Sequence, residues 1–295
     1  MLTTDSFDTA LLQAPLGLLE SRFPERLLSL PGGEQVAVRS AAPVGAASTV
    51  VLLHGISSGA ASWLHTAMPL SEQARVLAWD APGYGQSTPL LAAAPRDTDY
   101  AQRLHQVLMA LEVTRCTLVG HSLGALMACA YARRAERCQI DRLILVSPAA
   151  GYGAPDKATA QAHVRQERHE ALQRLGVAGL AENATARLLS PHTDAATRAW
   201  VQWNAARLNP AGYLQAVEML CRSDLAGGAP ITVPLEVHCG ELDIVTPSSA
   251  CQALAERLGG PFALIRNAGH ASPVEQAGSV AHLITRALQP DRHHD

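Results

Sequence analysis

The feature that most constrains this chain is a run that is apolar at every position but its ends. TVVLLH at 49–54 lacks the in-out alternation of a half-exposed strand, so it predicts a strand covered on both faces. Similar short runs follow: RVLAW at 75–79, CTLVGH at 116–121, RLILVS at 142–147, PLEVHCG at 234–240 and FALIRN at 262–267. Helical patterns lie between them. DYAQRLHQVLMALE at 99–112 carries Leu104, Val107, Leu108 and Leu111 at helical spacing. LGALMACAYARRAE at 123–136, SSACQALAERL at 248–258 and VEQAGSVAHLITRAL at 274–288 continue the alternation. Upstream, RLLSL at 26–30 and QVAVR at 35–39 flank PGGE and predict a hairpin. The expected architecture is α/β, with a mostly parallel sheet flanked by helices.

The rhythm breaks between Gly151 and Gly228, where helical patterns occur without a strand. The simplest reading is a helical cap at 151–228 inserted into one core formed by residues 1–150 and 229–295. The segment MLTTDSFDTALLQAPLGLLESRF lacks the positive start of a signal peptide and is read as a short amphipathic helix on the domain. No apolar run reaches membrane-spanning length.

Composition narrows the partners. A net charge of -3 offers no basic footprint for nucleic acid. Cysteines 116, 129, 138, 221, 239 and 251 form no C-x-x-C pair and read as buried thiols, which points weakly to a reducing, cytoplasmic setting. His293 and His294 in the C-terminal RHHD lack companion ligands, so no metal is expected. Nothing in the sequence fixes the oligomeric state.

Chemistry concentrates in G-H-S-L-G at 120–124, between a strand-like and a helix-like run. This context forms a sharp turn that lifts a serine hydroxyl above the sheet. Ser122 is the candidate nucleophile. A serine needs a base, and His270 in NAGH lies between the last strand-like run and the last helix. His121 is too near Ser122 in the chain to reach its hydroxyl. His238 lies within a strand, and His54 in H-G suits a loop-shaping role. The histidine needs an anionic partner. Asp243 follows the PLEVHCG strand, with Glu241 as its rival. The expected oxyanion donors are the amides of Leu123 and Ile56, the latter in the loop after TVVLLH.

HGISSGAASW at 54–63, DAPGYGQS at 80–87, GHSLG, LILVSPA at 143–149, GELDIVTP at 240–247 and NAGH, in this order, resemble the α/β-hydrolases of the small-molecule esterase, lactonase and carbon–carbon hydrolase branch. The resemblance covers about residues 25–288. It implies the α/β-hydrolase fold with an inserted helical cap, a small-molecule substrate and no cofactor. It implies nucleophile, acid and base at Ser122, Asp243 and His270, and oxyanion amides at Ile56 and Leu123. Ester or lactone hydrolysis ranks first. Carbon–carbon cleavage of a vinylogous diketone is the alternative, disfavoured by Ala271 where those enzymes often have an aromatic residue. A ligand receptor of the same fold is a third reading. In the cap, Arg165, Arg168, Arg187, Arg198, Arg207 and Arg222, with Trp200 and Trp203, are expected to include groups that select a carboxylate-bearing substrate.

Overall fold

The computed structural model describes residues 9–289, so the His293–His294 pair lies outside the described residues. Eight strands form one sheet in the order β1-β2-β4-β3-β5-β6-β7-β8. The expected hairpin is β1 (Glu25–Ser29) and β2 (Gln35–Ala41), paired antiparallel, and β2 also runs antiparallel to β4 (Arg75–Trp79). From β4 onward all pairings are parallel, through β3 (Thr49–Leu53), β5 (Arg115–His121), β6 (Gln139–Val146), β7 (Leu235–Gly240) and β8 (Phe262–Ile265).

The unbroken apolar runs are explained by two separate cores. Val51 and Leu53 of β3 point into one, and Val50 and Leu52 into the other. Leu143 and Leu145 of β6 divide from Ile144 and Val146 in the same way. On the first face lie α3 (Asp97–Ala110), α4 (Leu123–Ala132) and α8 (Ser248–Leu258). On the second lie α1 (Thr9–Arg22), α2 (Leu64–Leu70) and α10 (Ala277–Leu288). Helix α1 buries Leu12 and Leu19 in that second core, in the segment read as a packed helix. Every residue of α4 is buried, which suits its all-apolar, alanine-rich sequence.

Two elements differ from the sequence reading. Helix α2 carries Pro69 and spans only seven residues, too short for a periodic signal. The expected helix at 274–288 is two pieces, α9 (Ser272–Glu275) and α10, separated at Gln276 (φ -125°, ψ 45°).

Between β6 and β7 the chain forms α5 (Ala158–Leu188), α6 (Ala195–Ala205) and α7 (Pro210–Arg222). Helix α5 is broken at Gly176, whose φ of 60° and ψ of -174° are non-helical. Helices α6 and α7 both pack on α5, α7 touches α4, and α6 touches α1. The connections from β3 and β5, neighbouring strands, lead to opposite sides of the sheet. That switch point opens a crevice at the carboxyl ends of the strands, the usual binding position in such sheets. Among the described residues no helix is long and apolar enough to cross a membrane.

Candidate active site

Ser122 stands between β5 and α4 at φ 52° and ψ -114°, a conformation rare for a residue with a side chain. Its flanking glycines make the turn possible. A Cβ on Gly120 would lie 2.6 Å from the Gly124 carbonyl oxygen, and one on Gly124 would lie 2.4 Å from the Leu53 carbonyl oxygen. The helix therefore rests directly on the ends of β3 and β5.

His270, in the loop after β8, approaches from the other side. Its Nε2 is 2.9 Å from Ser122 Oγ, and its Nδ1 is 2.8 Å from Asp243 Oδ2. A carboxylate only accepts, so Nδ1 carries the proton and Nε2 is left to accept from the serine hydroxyl. Asp243 Oδ1 accepts from the amides of Val245 and Thr246, at 2.8 and 2.9 Å, while Oδ2 also accepts from Thr246 Oγ1 at 2.9 Å. Burial alone would raise the Asp243 pKa. The His270 hydrogen bond and charge, with the Thr246 amide, outweigh it and hold the carboxylate well below its usual range.

Glu241 is turned elsewhere. Its carboxylate takes Arg266 Nη1 at 2.5 Å and the Asn267 amide at 3.1 Å. The Asn267 amide and then Arg266 lower its pKa, and it holds the αL turn of NAGH rather than the histidine ring.

The loop after β3 passes close to the serine. A Cβ on Gly55 would sit 3.2 Å from Ser122 Cβ. Buried His54 shapes that loop. The Ala81 amide donates to its Nε2 at 3.0 Å, so its proton is on Nδ1, which donates to the Gly55 carbonyl at 2.8 Å. Burial lowers the His54 pKa and favours this neutral form. Gly55 C=O and Ile56 N–H belong to one peptide plane, so His54 fixes the direction of the Ile56 amide. Tyr84 Oη donates to the Ile56 carbonyl at 2.8 Å and fixes the next peptide. Leu123 is the first residue of α4, and its amide has no intrahelical acceptor. Ile56, Leu123, Ser122 and His270 all line one cavity of about 780 Å³ between the strand ends and the inserted helices.

Three contacts around the histidine loop were not foreseen from sequence. His121 Nε2 donates to the His270 carbonyl at 2.8 Å, and burial, then the neighbouring His270, pushes the His121 pKa down to about 3. Thr246 braces Asp243. Glu275 accepts from the Gly269 and Ser190 amides, both at 2.7 Å. His121 and Glu275 lie in or beside motifs singled out in the sequence, but their partners are backbone groups brought close by folding, while Thr246 lies within GELDIVTP and reaches its neighbour Asp243 only through the turn.

Of the arginines expected in the cap, Arg168 and Arg187 line the cavity, and Arg174 joins them. Arg165 Nε is paired to Glu218 at 2.8 Å, Arg222 bonds the Ala94 carbonyl, and Arg207 lies 4.5 Å from the Trp203 ring centroid. Arg198 is not part of the cavity wall. Neither Trp200 nor Trp203 lines it. The two rings stack on each other at 4.8 Å, with Trp200 buried in the second core.

Residues 50–283 match the model of the Alpha/beta hydrolase family. Among curated relatives, "Putative carbamate hydrolase RutD" of Yersinia enterocolitica is 29% identical over 83% of this chain and 89% of its own, and the protein of that name from Cronobacter turicensis is 27% identical over 86% and 97%. Solved structures of the same fold include the enol-lactonase from Burkholderia xenovorans, with TM-score 0.76 and 23% identity over 89% of this chain and 99% of that one. A thermophilic esterase from Thermogutta terrifontis also has TM-score 0.76 and 23% identity, over 90% and 97%. With the family model spanning most of the chain and an eight-stranded sheet of the matching architecture, this protein belongs to the alpha/beta hydrolase family and is a hydrolase.

Proposed function

We propose that the chain is a serine hydrolase that cleaves a small-molecule carboxylic ester or lactone through an acyl-enzyme on Ser122. The observation that carries this reading is the continuous line from Asp243 Oδ2 to His270 Nδ1, 2.8 Å, and from His270 Nε2 to Ser122 Oγ, 2.9 Å. His270 Nε2 takes the hydroxyl proton as Oγ attacks the carbonyl carbon. The resulting oxyanion rests on the amides of Ile56 and Leu123, and the imidazolium is stabilised by Asp243. Collapse breaks the bond to the leaving group, which receives the proton from Nε2. Water then attacks the acyl-serine with His270 again as base, releasing the acid and restoring the hydroxyl. These steps need no cofactor. We read the helices of residues 151–228 as the cap over this site, since they supply part of the wall of the cavity that Ser122 lines.

The test is covalent labelling. A fluorophosphonate probe is expected to label wild type and spare Ser122→Ala, and the same substitution abolishes turnover of a simple aryl ester. Equal labelling of both proteins refutes the assignment. A carbamate is a second substrate class supported by the name that the RutD relatives carry. Its carbonyl would meet the same serine and amides. Side-by-side kcat/KM for an ester and the matching carbamate ranks the two.

A further inference from the structure

The cavity that Ser122 lines also holds a cation, Arg168, that the hydrolytic steps do not use. In the first half of α5, Val164, Arg168 and Ala171 follow one another at helical spacing and all face the cavity. Arg168 is half-buried. Among the described residues its guanidinium pairs with no carboxylate, and its hydrogen bond is a long one, Nη1 to Tyr213 Oη at 3.3 Å. The acidic groups on the same wall are engaged elsewhere. Glu167 Oε1 lies 3.3 Å from His163 Nε2, and Glu170 Oε1 accepts from Gln166 at 2.8 Å. Arg165, three residues before Arg168, has the Glu218 partner that Arg168 lacks.

Arg168 also has a definite place relative to the chemistry. It and its partner Tyr213 line the same cavity as Ser122 and Ile56, together with the apolar side chains of Val164, Leu180 and Leu220. A guanidinium in a partly desolvated pocket, with donors unfilled and an apolar wall beside it, is a receptor for a planar anion. We propose that Arg168 receives a carboxylate that the substrate carries in addition to its scissile carbonyl. The preferred substrates are then monoesters of dicarboxylic acids, or lactones bearing a free carboxylate. This deepens the proposed serine-hydrolase reading and rests on it.

Two measurements test the proposal. The first compares kcat/KM for the 4-nitrophenyl monoester of adipic acid with that for 4-nitrophenyl heptanoate, a neutral chain of similar length. The acid-to-neutral ratio is expected to fall about 10- to 100-fold in Arg168→Gln, the range of a hydrogen bond to a charged group. Arg168→Lys should recover part of it, and Arg165→Gln should leave the ratio at its wild-type value. The second uses no turnover. Calorimetry with adipate on Ser122→Ala should detect binding that Ser122→Ala/Arg168→Gln loses by a similar factor. An unchanged ratio in folded Arg168→Gln, or adipate binding that is absent or equal in the two proteins, overturns the clamp. Failure of the underlying reading looks different, because Ser122→Ala would then hydrolyse both esters as fast as wild type.

Discussion

Replacing His54 with leucine tests whether a residue that never touches substrate sets the oxyanion geometry. Leucine keeps comparable bulk and removes two buried hydrogen bonds, from the Ala81 amide at 3.0 Å and to the Gly55 carbonyl at 2.8 Å. Each buried polar group left unsatisfied costs about 1–3 kcal/mol. Relief from burying the imidazole offsets part of this, so the expected loss is roughly 2–4 kcal/mol, or about 3–7 °C in Tm for a chain of this size. The catalytic effect follows from the peptide plane. Losing an oxyanion donor outright costs roughly 100- to 1000-fold in kcat. A Gly55–Ile56 peptide that is loosened but still held through Tyr84 at the Ile56 carbonyl should lose less, about 10- to 100-fold. The loss should fall on kcat with KM nearly constant, because the donor is used in the transition state. Steady-state kinetics well below the variant's Tm, with circular dichroism to establish the folded fraction, reads both quantities. A folded His54→Leu protein whose kcat stays within about twofold of wild type would refute the reasoning, since roughly 1 kcal/mol or more of transition-state stabilisation is expected to vanish.

Asp243→Asn should lower kcat by a factor on the order of 10⁴, the cost of the same change in a serine-protease triad, by losing the acceptor that sets the His270 tautomer. Glu241→Gln, whose carboxylate faces Arg266 and Asn267, should change it only slightly, and the reverse ranking in ester kinetics would reassign the acid. Gly124→Ala forces a Cβ to 2.4 Å from the Leu53 carbonyl oxygen and 2.9 Å from that of His54, so thermal denaturation should show a loss of about 1–3 kcal/mol or more. Acid should weaken the fold through His121. Its folded pKa of about 3 lies below the unfolded value near 6.5, so the unfolded chain takes the proton first, and stability present at neutral pH is lost as pH falls from about 6.5 toward 3. Urea titrations at pH 6.5 and 5 should differ by roughly 2 kcal/mol on this account, and His121→Gln should flatten the difference.

What was legible in the sequence was what local pattern dictates. TVVLLH has no polar face because both faces of β3 are covered, and that one run already implies a layered α/β structure. Ser122, Asp243 and His270 stand out in the sequence because each follows a strand, and the fold brings them together because the ends of parallel strands share one edge of the sheet. Helix α2 escaped because Pro69 and a length of seven residues leave no periodicity to detect. The break at Gln276 escaped because the helical spacing on either side continues through it. Partners fixed only by tertiary folding were out of reach. His121 meets the His270 carbonyl 149 positions away, and the face that α5 turns inward was decided by its packing on α6 and α7. Trp200 and Trp203 look like pocket aromatics in a linear reading, whereas the fold uses them as a stacked pair against the second core.

The loop that carries His270 is held from three directions, and one of them is the inserted segment. His121 fixes the His270 carbonyl from the strand side. Glu275 Oε2 accepts from the Gly269 amide on the residue before it, while Oε1 accepts from the Ser190 amide and from the Thr193 hydroxyl, just past the end of α5. The Ala271 amide, on the residue after it, donates to the Leu188 carbonyl at 2.8 Å. Both neighbours of His270 are thus tied, directly or through one carboxylate, to residues 188–193. The far end of α5 is tied to the His270 loop, while its first half, broken off at Gly176, carries Arg168 on the cavity wall. On the proposed assignment, the break at Gly176 lies between the part of α5 that would meet the substrate and the part that supports the histidine.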